Sequence, residues 1–585
     1  MASLRAPDVP RAAMWAALLW LVCSLAMLWL FRGDFSALAF RDPDDAMRLA
    51  QVRDWIGGQA FWDVSQHRVN PPVGGPMHWS RIVDMPIAAL ILLLRPMIGA
   101  AGADIIACVT VPLLLLGGLT AALLVAARRV AGSGIALLSV ALLLTNPSIL
   151  VQFTPLRIDH HGWQIAMAAL ALCGALDARA VRGGIVAGLA LAIWLQISSE
   201  ALPYAALFAA TFALRHWMAR DQAGRFIAFA TVLGGAALVL LALLHGPDAL
   251  LARQCDALSF VYLWPLVALA LATGGAARFI GTATGGRRFL IAAIGGGAAL
   301  TTFLVTGGPC LSGDPFTALG PLAYKLWYLQ VMEGRPIWEQ SLELRGVILL
   351  PPLLGLCTSL MAARAHQGEA RTRWLVLALL LAGSTLLAML VMRALSVAHV
   401  FALPGIAWLL ARLFVRVQAS RAAPVRIFGS VALVLLTPAG LSAVWVAGTA
   451  RTEPAKAASA NCRAAHVLAP LRALPPATLF APLDMGPDIL VQTRHAVIGT
   501  AHHRNAAGIT AVIAGFVDAP DTARAVIART GAAYVVTCDG LTEYRLYGRE
   551  NRVGLAALLA KGTVPDWLEP LPGKGPLRIW RIRRE

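Results

Sequence analysis

The sequence Phe40-Arg41-Asp42-Pro43-Asp44-Asp45-Ala46-Met47-Arg48 directly follows the first hydrophobic segment of the chain. It holds three carboxylates and two arginines beside a membrane helix, where charge is costly unless it binds something. Two further polar clusters follow, Arg157-Ile158-Asp159-His160-His161 and Val331-Met332-Glu333. Carboxylates and imidazoles are suitable ligands for a divalent cation. We therefore predict that the three clusters meet at one membrane surface and form one active site.

The composition is that of a membrane protein. Of the 585 residues, 58% are hydrophobic and 14% are charged, and apolar runs of about 17 to 25 residues recur, the length that crosses a bilayer. The net charge of +18 comes largely from arginines in the short loops between these runs, as the positive-inside rule predicts. We therefore expect the lipid bilayer, and no nucleic acid, as the partner of this charge.

The arginines also orient the apolar segments. Arg5 and Arg11 predict a cytoplasmic N-terminus, and Arg128-Arg129 marks the inner end of the span 104–127. Both assignments hold only if the apolar segment 85–100 lies in the membrane interface instead of crossing. Alternation of the remaining spans then gives about thirteen crossings with the C-terminus outside. We predict a multi-pass α-helical protein of the cell inner (cytoplasmic) membrane.

The predicted topology divides the chain into two domains. Residues 1–449 form the transmembrane domain, with two long outer loops at 32–103 and 307–346. Residues 450–585 have a different composition, in which short β-rich runs alternate with helix-like stretches such as 520–530 and 552–561, and we predict an extracytoplasmic α/β domain. The predicted strands are 477–481, 496–500, 533–538 and 577–583. Cys462 and Cys538 of this domain could pair if it is extracytoplasmic.

Each polar cluster also has a purely structural interpretation. Asp42 before Pro43 is a plausible helix N-cap, although Asp45 and Arg48 would share a face of the helix that begins there. Adjacent histidines such as His160-His161 are often structural. Glu333 has the weakest local signal, but it lies in a long loop rich in aromatic residues, and such loops often close over a substrate.

One arginine at an outer span end completes the set of candidates. Arg393 is either an arginine that extends to the interface or a fixed cation for a phosphate. The sequence has no nucleotide-binding or serine-hydrolase motif at a position where such a motif could function, so a nucleotide-driven pump or a serine hydrolase is not supported. Outward-facing carboxylates, a metal and such an arginine suit a lipid-linked phosphate donor. The alternative is a polysaccharide or lipid-linked glycan transporter, or flippase, which should place ionisable residues at mid-membrane.

The order of the outer clusters resembles that of the catalytic subunit of oligosaccharyltransferase and its relatives in the GT-C glycosyltransferase superfamily. In that family the first outer loop carries Asp-Pro, four residues and then Arg, a spacing kept at 42–48. An Asn/Tyr-Pro segment and an amphipathic helix follow, similar to Asn70-Pro71-Pro72 and 85–100 here. Archaeal members carry Asp-His-His in the second loop, as at 159–161, and the fifth loop has a short motif that ends in Glu, as at 331–333.

The resemblance implies a membrane glycosyltransferase that moves a sugar or oligosaccharide from a polyprenyl-phosphate or polyprenyl-pyrophosphate donor. It implies that Asp42, Asp159 and His161 bind Mg²⁺ or Mn²⁺. Asp42 would also orient the acceptor nucleophile, with Asp45 as its rival and Glu333 as the residue that tethers the long loop to the site. Arg393 would contact the donor phosphate, and Arg48 is a further candidate for substrate binding.

The C-terminal domain departs from the family. The Trp-Trp-Asp-Tyr-Gly motif with which the family reads an Asn-X-Ser/Thr sequon does not occur in this sequence. The acceptor is therefore expected to be a glycan or a lipid somewhat ahead of a protein. His502, His503 and Arg504 follow a predicted strand, and such ends commonly present binding residues. We predict that these three residues help to hold the donor phosphate or an anionic acceptor.

Overall fold

Apolar helices make up most of the chain before residue 450. In this computed structural model, which describes residues 8–312, 316, 319–450, 461–573 and 575–583, the predicted apolar segments are largely helical. The helices of this region are α1 (Val9–Leu30), α2 (Arg32–Phe35), α3 (Pro43–Ile56), α4 (Arg81–Leu143), α5 (Pro147–Leu150), α6 (His161–Ala175), α7 (Ala180–Ile197), α8 (Ala201–Met218), α9 (Ala223–His245), α10 (Phe260–Ile280), α11 (Gly285–Gly307), α12 (Gly320–Leu326), α13 (Leu342–Ala365), α14 (Gly368–Leu390), α15 (Leu395–Gln418), α16 (Ala423–Ala432) and α17 (Pro438–Thr449).

These helices confirm a polytopic α-helical membrane protein. Within the described residues, nine helices are long and apolar enough to cross a membrane, or ten if the bent pair 423–436 and 438–449 forms one span. The predicted count of about thirteen crossings stays a prediction, as does the orientation of the spans.

Helix α4 contains two breaks, at Gly99 and Gly132, where φ is 75° and 82°. Glycine adopts such positive φ values without steric cost. The first break ends the segment 81–98, which corresponds to the predicted interfacial helix. One side of this segment is buried at Ile87 and Ile91, whereas Leu93 on the other side is 67% exposed. This pattern is typical of a helix that lies in an interface, although its position in a bilayer stays a prediction.

The chain after residue 461 forms the predicted α/β domain around a five-stranded sheet. Its strands are β1 (Thr478–Phe480), β2 (Ala496–Val497), β3 (Tyr534–Cys538), β4 (Leu568–Pro570) and β5 (Leu577–Ile582), and its helices are α18 (Ala465–Leu468), α19 (Gly486–Gln492), α20 (Ala506–Val517), α21 (Pro520–Arg529), α22 (Thr542–Glu550) and α23 (Leu555–Ala560). The strand order is β2-β1-β3-β5-β4, with β2, β1 and β3 parallel and β5 antiparallel to both of its neighbours. All four predicted strands are present, and β4 is additional. The predicted domain boundary adjoins 451–460, which lie outside the described residues.

The segment between α3 and α4, part of the predicted first outer loop, extends this sheet and so holds the α/β domain against it. The backbone nitrogen of Asn70 donates to the carbonyl of Val497 at 2.7 Å, and the nitrogen of Val497 donates to the carbonyl of Arg68 at 2.8 Å. The Arg68 side chain reaches further into the domain, where its Nη1 donates to the carbonyl of Leu490 at 2.9 Å. The loop that carries the Asp42 cluster is therefore held against the C-terminal domain by backbone pairing.

Two disulfides occur in the described residues. Cys462 and Cys538 are bonded, with Cα atoms 5.9 Å apart, which confirms the pairing that the sequence allowed. Cys255 and Cys310 form the second disulfide, with Cα atoms 5.2 Å apart. The sequence did not indicate this pair, because their spacing of 55 residues follows no motif. It ties the segment after α9 to the segment after α11.

Candidate active site

Helix α3 begins at the first polar cluster, as predicted. Asp42 is its N-cap: the side chain accepts a hydrogen bond from the backbone nitrogen of Asp44 at 3.0 Å, and Pro43 occupies the first helical position. A carboxylate at this position is also stabilised by the positive end of the helix dipole. The structural interpretation of Asp42 is therefore confirmed, and it leaves the second carboxylate oxygen available to other groups.

The guanidinium of Arg157 joins the first two clusters. Its Nη1 lies 2.9 Å from Asp42 Oδ2 and 3.0 Å from Asp45 Oδ2, and its Nη2 lies 2.8 Å from Asp159 Oδ2. Burial lowers the pKa of Arg157, but the carboxylates of Asp159, Asp45 and Asp42 outweigh burial and raise it. Three carboxylates thus converge on one fixed cation.

Asp42 and Asp45 have different surroundings, although they are three residues apart. The side chain of Asp45 is 1% exposed, whereas that of Asp42 is 34% exposed. Asp45 Oδ1 also accepts a hydrogen bond from the backbone nitrogen of Asp159 at 3.0 Å. Burial, opposed by the Arg157 charge, raises the pKa of Asp45 to about 8. Asp45 therefore anchors the second cluster, while Asp42 faces open space.

A chain of polar contacts runs from the second cluster to the third. His161 Nδ1 lies 2.6 Å from Asp159 Oδ2, and His161 Nε2 lies 3.9 Å from Glu333 Oε2. Glu333 Oε1 in turn lies 3.5 Å from Nη1 of Arg393. Burial raises the pKa of Glu333, against the opposing charges of His161 and Arg393. The structure thus brings the three predicted clusters and Arg393 to one place.

Asp42, Glu333 and Arg393 line one large cavity beneath the C-terminal domain, with a volume of about 760 Å³, whereas Asp159 and His161 are not among its lining residues. Carboxylates contribute to its wall from both domains: Asp42, Asp44, Glu200, Asp256, Glu333, Asp484 and Glu543. Aromatic rings line another part of it, at Trp79, Trp327 and Tyr328. Asp45 does not line this cavity. The wall therefore offers hydrogen-bond acceptors beside aromatic faces, which suits a polar ligand with an apolar side.

Cationic and imidazole groups lie at the same cavity. Arg393 lines it, together with His78, His160, His502 and His503. Burial, together with the charge of the neighbouring His161, lowers the pKa of His160 to about 3. His502 Nε2 lies 3.2 Å from Asp44 Oδ1, and this imidazole holds the pKa of Asp44 well below its usual range despite burial.

Two predicted substrate-binding residues lie elsewhere. Arg48 is 1% exposed and lies behind the ring of Trp79, with its guanidinium carbon 4.4 Å from the ring centre, and its Nη1 donates to Asp84 Oδ1 at 2.6 Å. Arg504 does not line the large cavity but a smaller one of about 260 Å³ beside it. The structure therefore does not bring these two arginines to the cavity wall with the other candidates.

The residues of the first two clusters fit a divalent cation. Single ligand atoms of Asp159, His160 and His161 lie within 4.8 Å of one another. Among the described residues, His160 Nδ1 and His161 Nε2 are buried without a hydrogen-bond partner, which is costly unless something binds there. Asp42 Oδ2 and Asp159 Oδ2 face the same guanidinium. A hard or borderline cation with carboxylate and imidazole ligands is consistent with this set.

Sequence reasoning did not identify Glu200 or the role of Arg157. Glu200 Oε1 forms a short ion pair with Nε of Arg393, so the predicted phosphate-binding arginine lies between two carboxylates. The sequence did contain a signal for Glu200. A carboxylate at the predicted outer end of an apolar span is energetically costly beside a membrane, as are the carboxylates of the three clusters. Arg157 stands in the quoted cluster, but its partners 112 and 115 positions away along the chain are visible only in three dimensions.

Comparison with known proteins shows the fold. Neither a protein-family model nor any curated protein matches this chain by sequence. Archaeal oligosaccharyltransferase AglB from Archaeoglobus fulgidus, in complex with an inhibitory peptide and a dolichol-phosphate, matches with a TM-score of 0.67 at 13% identity, over 95% of this chain and 72% of that chain. The oligosaccharyltransferase of the same organism in complex with Zn and sulfate matches with a TM-score of 0.55 at 13% identity, over 89% of this chain and 68% of that one. The chain therefore shares the fold of this oligosaccharyltransferase, as the resemblance predicted.

Proposed function

We propose that this chain is an inverting membrane glycosyltransferase that moves a sugar or oligosaccharide from a polyprenyl-phosphate or polyprenyl-pyrophosphate donor to an acceptor on the outer face of the membrane. The observation that carries the proposal is that Asp42, Glu333 and Arg393 line one cavity between the helical region and the C-terminal domain. Arg157 joins Asp159 to Asp42 beside this cavity. The likeness in fold to an oligosaccharyltransferase that was solved with a dolichol-phosphate supports the class of donor.

Asp42 is the residue assigned to the acceptor. It is the more exposed of the two rival carboxylates, and it lines the cavity, whereas Asp45 does not. In the proposed step the acceptor oxygen or nitrogen attacks the anomeric carbon of the donor sugar. The bond between that carbon and the phosphate oxygen breaks, and the polyprenyl phosphate or pyrophosphate leaves with the bonding electrons. Asp42 orients the nucleophile and accepts its proton.

Arg393 and the imidazoles are assigned to the donor phosphate. Arg393 lies near the outer end of α14 and lines the cavity, where an apolar lipid chain could remain in the bilayer while its phosphate reaches the guanidinium. The guanidinium suits phosphate because it offers a planar set of donors. His502 and His503 line the same cavity from the C-terminal domain. Glu333 connects the long outer loop to this group through His161 and Arg393.

A divalent cation, Mg²⁺ or Mn²⁺, is assigned to Asp42, Asp159 and His161. When bound, it would supply positive charge that offsets the charge developing on the leaving phosphate. The Asp159 carboxylate accepts from His161 Nδ1, which leaves Nε2 as the nitrogen that can ligate. Arg157 holds the carboxylates of Asp42 and Asp159 together through its two Nη atoms.

The proposed location is the inner (cytoplasmic) membrane, with the N-terminus in the cytoplasm and the cavity and C-terminal domain outside. Both disulfides support this orientation, because disulfides persist in oxidising compartments. Cys255–Cys310 lies between segments that adjoin the cavity, and Cys462–Cys538 lies in the C-terminal domain. A glycan or lipid acceptor is favoured somewhat over a protein, since the sequon-reading motif does not occur in the sequence.

The substitutions Asp42→Asn and Asp159→Asn test the proposal. If the chain transfers a sugar, each variant loses a surface glycan while its lipid-linked precursor accumulates on the outer leaflet. If the chain is instead a transporter of lipid-linked glycans, the precursor remains on the inner leaflet. The described carboxylates of the cavity lie at helix ends and in loops, whereas a transporter places them at mid-membrane. Asp34→Asn, a partly exposed carboxylate of the same outer loop, is the matched control.

A further inference from the structure

Three potential metal ligands from distant parts of the sequence meet at a different edge of the cavity. His78 comes from the first outer loop, Asp256 from the segment between α9 and α10, and His503 from the C-terminal domain. One ligand atom from each lies within 4.8 Å of the other two. All three residues line the large cavity. Like the cluster at Asp159, this group joins a carboxylate to two imidazoles.

The three side chains have different partners at present. His503 Nε2 donates to Asp256 Oδ2 at 2.7 Å. The ring of His78 lies 4.8 Å from the ring of His503, centre to centre. Among the residues that the structure describes, no side-chain hydrogen bond or ion pair of His78 is found. The ring nitrogens of His78, beside a carboxylate and a second imidazole, are therefore available to bind a ligand.

The carboxylate is held in a fixed orientation. Arg504 Nε donates to Asp256 Oδ2 at 2.7 Å and its Nη2 donates to Oδ1 at 3.0 Å. The same arginine donates to the carbonyl of Met77 at 3.0 Å, next to His78. Cys255, which directly precedes Asp256 in the sequence, is restrained by its disulfide with Cys310. Hydrogen-bonded support of this kind is typical of carboxylates that ligate metals.

We propose that His78, Asp256 and His503 form a metal site for a borderline divalent cation such as Zn²⁺, separate from the group at Asp42, Asp159 and His161. Two imidazoles and one carboxylate are a ligand set of zinc sites that keep one position open for water or a substrate atom. Tetrahedral bonds of about 2.1 Å place ligand atoms about 3.4 Å apart, so the present cluster closes on an ion by small side-chain rotations. His503 would turn its Nε2 from the carboxylate to the ion and give up the proton there.

This site differs from the first in its effect on the domains. Its ligands join the first outer loop, the segment after α9 and the C-terminal domain, so a bound ion would fasten the two domains together at the cavity wall. It also gives Arg504 a role that differs from the predicted contact with substrate: the arginine orients the carboxylate that ligates. The site requires no glycosyl transfer, and its test is therefore independent of the proposed function.

The experiment is a titration of the purified, chelator-stripped full chain in detergent with Zn²⁺ alone. Bound ions are counted by mass spectrometry of the metal, and thermal unfolding is followed in parallel. We expect His78→Ala to lose one equivalent of bound Zn²⁺ and most of the Zn²⁺-dependent rise in the unfolding temperature. His67→Ala, an exposed histidine of the same loop, is expected to bind as the unchanged chain does. Because His78 makes none of the described side-chain hydrogen bonds, its loss should leave the metal-free fold intact.

The variant Asp159→Asn distinguishes the two sites. The proposal is supported if one equivalent of bound Zn²⁺ is lost in His78→Ala and retained in Asp159→Asn. This result would support it even if no cation binds at Asp42, Asp159 and His161 and the cation assigned to glycosyl transfer is wrong. If His78→Ala binds the same number of ions with the same affinity as the unchanged chain, the proposal is overturned. It is also overturned if Asp159→Asn removes all bound Zn²⁺.

Discussion

His161 and Asp159 are joined by a side-chain hydrogen bond, in which Nδ1 of the imidazole donates to Oδ2 of the carboxylate at 2.6 Å. The bond fixes the ring so that Nε2 faces Glu333 at 3.9 Å. A carboxylate that accepts from one ring nitrogen makes the other nitrogen a better ligand, an arrangement common to metal-binding histidines. The bond therefore connects the second and third clusters and leaves Nε2 of His161 as the nitrogen available to the proposed cation.

Removal of divalent cations should abolish activity in purified membranes, and added Mg²⁺ or Mn²⁺ should restore it. In His161→Ala we expect the cation concentration for half-maximal activity to rise at least about 10-fold, because a ligand or its support is lost. His466→Ala, an exposed histidine of the C-terminal domain, is the control and should behave as the unchanged chain. Activity that survives thorough EDTA treatment would contradict the cation assignment.

Asp42 and Asp45 should respond oppositely to substitution. Asp42→Asn should lower turnover by a factor of about 10² to 10⁴, the usual contribution of a positioned proton acceptor, with little change in unfolding temperature. Asp45→Ala should destabilise the fold by about 1–3 kcal/mol, because the backbone nitrogen of Asp159 is left buried without its acceptor. Asp45→Asn should retain more stability, since burial raises the pKa of Asp45 to about 8 and Asn imitates the neutral acid.

Turnover and thermal unfolding of the three variants should be measured side by side. The assignment of the two carboxylates fails if Asp45→Asn loses turnover at normal stability while Asp42→Asn remains active. Asp34→Asn, which is partly exposed and near Arg41 at 3.9 Å, is expected to match the unchanged chain in both measurements.

The sequence predicted the location of the site better than the partners within it. The carboxylates at the predicted outer ends of the spans could be recognised in the sequence, because charge beside apolar runs is costly. In the structure, Asp42, Asp159, Glu333 and Arg393 do lie close together. The pairing of Arg157 with three carboxylates was not visible, since it depends on how α3 and the segment before α6 pack. Nor could local pattern show that Arg48 is buried behind Trp79, because its spacing from Asp45 fits a solvated face equally well.

The fold was predictable where periodicity or composition is strong. The apolar segments and all four predicted strands are present, whereas β4 (Leu568–Pro570) was missed because three residues that end in proline give little strand signal. The pairing of the first outer loop with Val497 was also missed. That contact joins residues more than 400 positions apart, and no local pattern encodes it.

Substitution of Arg393 should change the dependence of the rate on donor concentration more than its dependence on acceptor concentration. We expect Arg393→Gln to raise the donor concentration for half-maximal rate at least about 10-fold, because a charged partner of phosphate is lost. Glu200→Gln alone should have a smaller effect, since it frees the guanidinium from its short ion pair. The two changes should not add, because residues in one ion-pair network couple by about 0.5–3 kcal/mol.

Initial rates at varied donor and at varied acceptor concentration would separate these effects. Arg364→Gln, which is exposed in the last turn of α13, should leave both dependences unchanged. An effect of Arg393→Gln on the acceptor dependence alone would contradict the assignment of this arginine to the donor.

Glu543 should make the stability of the C-terminal domain depend on pH. Burial, followed by the charge of Asp484, raises the pKa of Glu543 from 4.5 to about 8. The folded state then holds more protons than the unfolded state between these values, so stability should be greatest near pH 4.5 and should fall as the pH rises to about 8. Glu543→Gln removes the titrating group and should flatten the decline in unfolding temperature. Parallel declines in the two proteins would contradict the prediction. Glu569→Gln, at a half-buried position of β4 near Arg581, is the control.

The orientation of the chain can be measured through its disulfides. If the cavity faces outward, a membrane-impermeant reductant followed by an impermeant maleimide should label Cys255, Cys310, Cys462 and Cys538 in intact spheroplasts, because each pair is bonded in the structure. Without the reductant these cysteines should remain unlabelled. As a control, Arg371→Cys places a thiol at an exposed position near the start of α14, at the predicted cytoplasmic end, and it should be labelled only after permeabilisation. Labelling of Arg371→Cys in intact spheroplasts, with protection of the reduced disulfide cysteines, would place the cavity in the cytoplasm and exclude the proposed use of an outer-face donor.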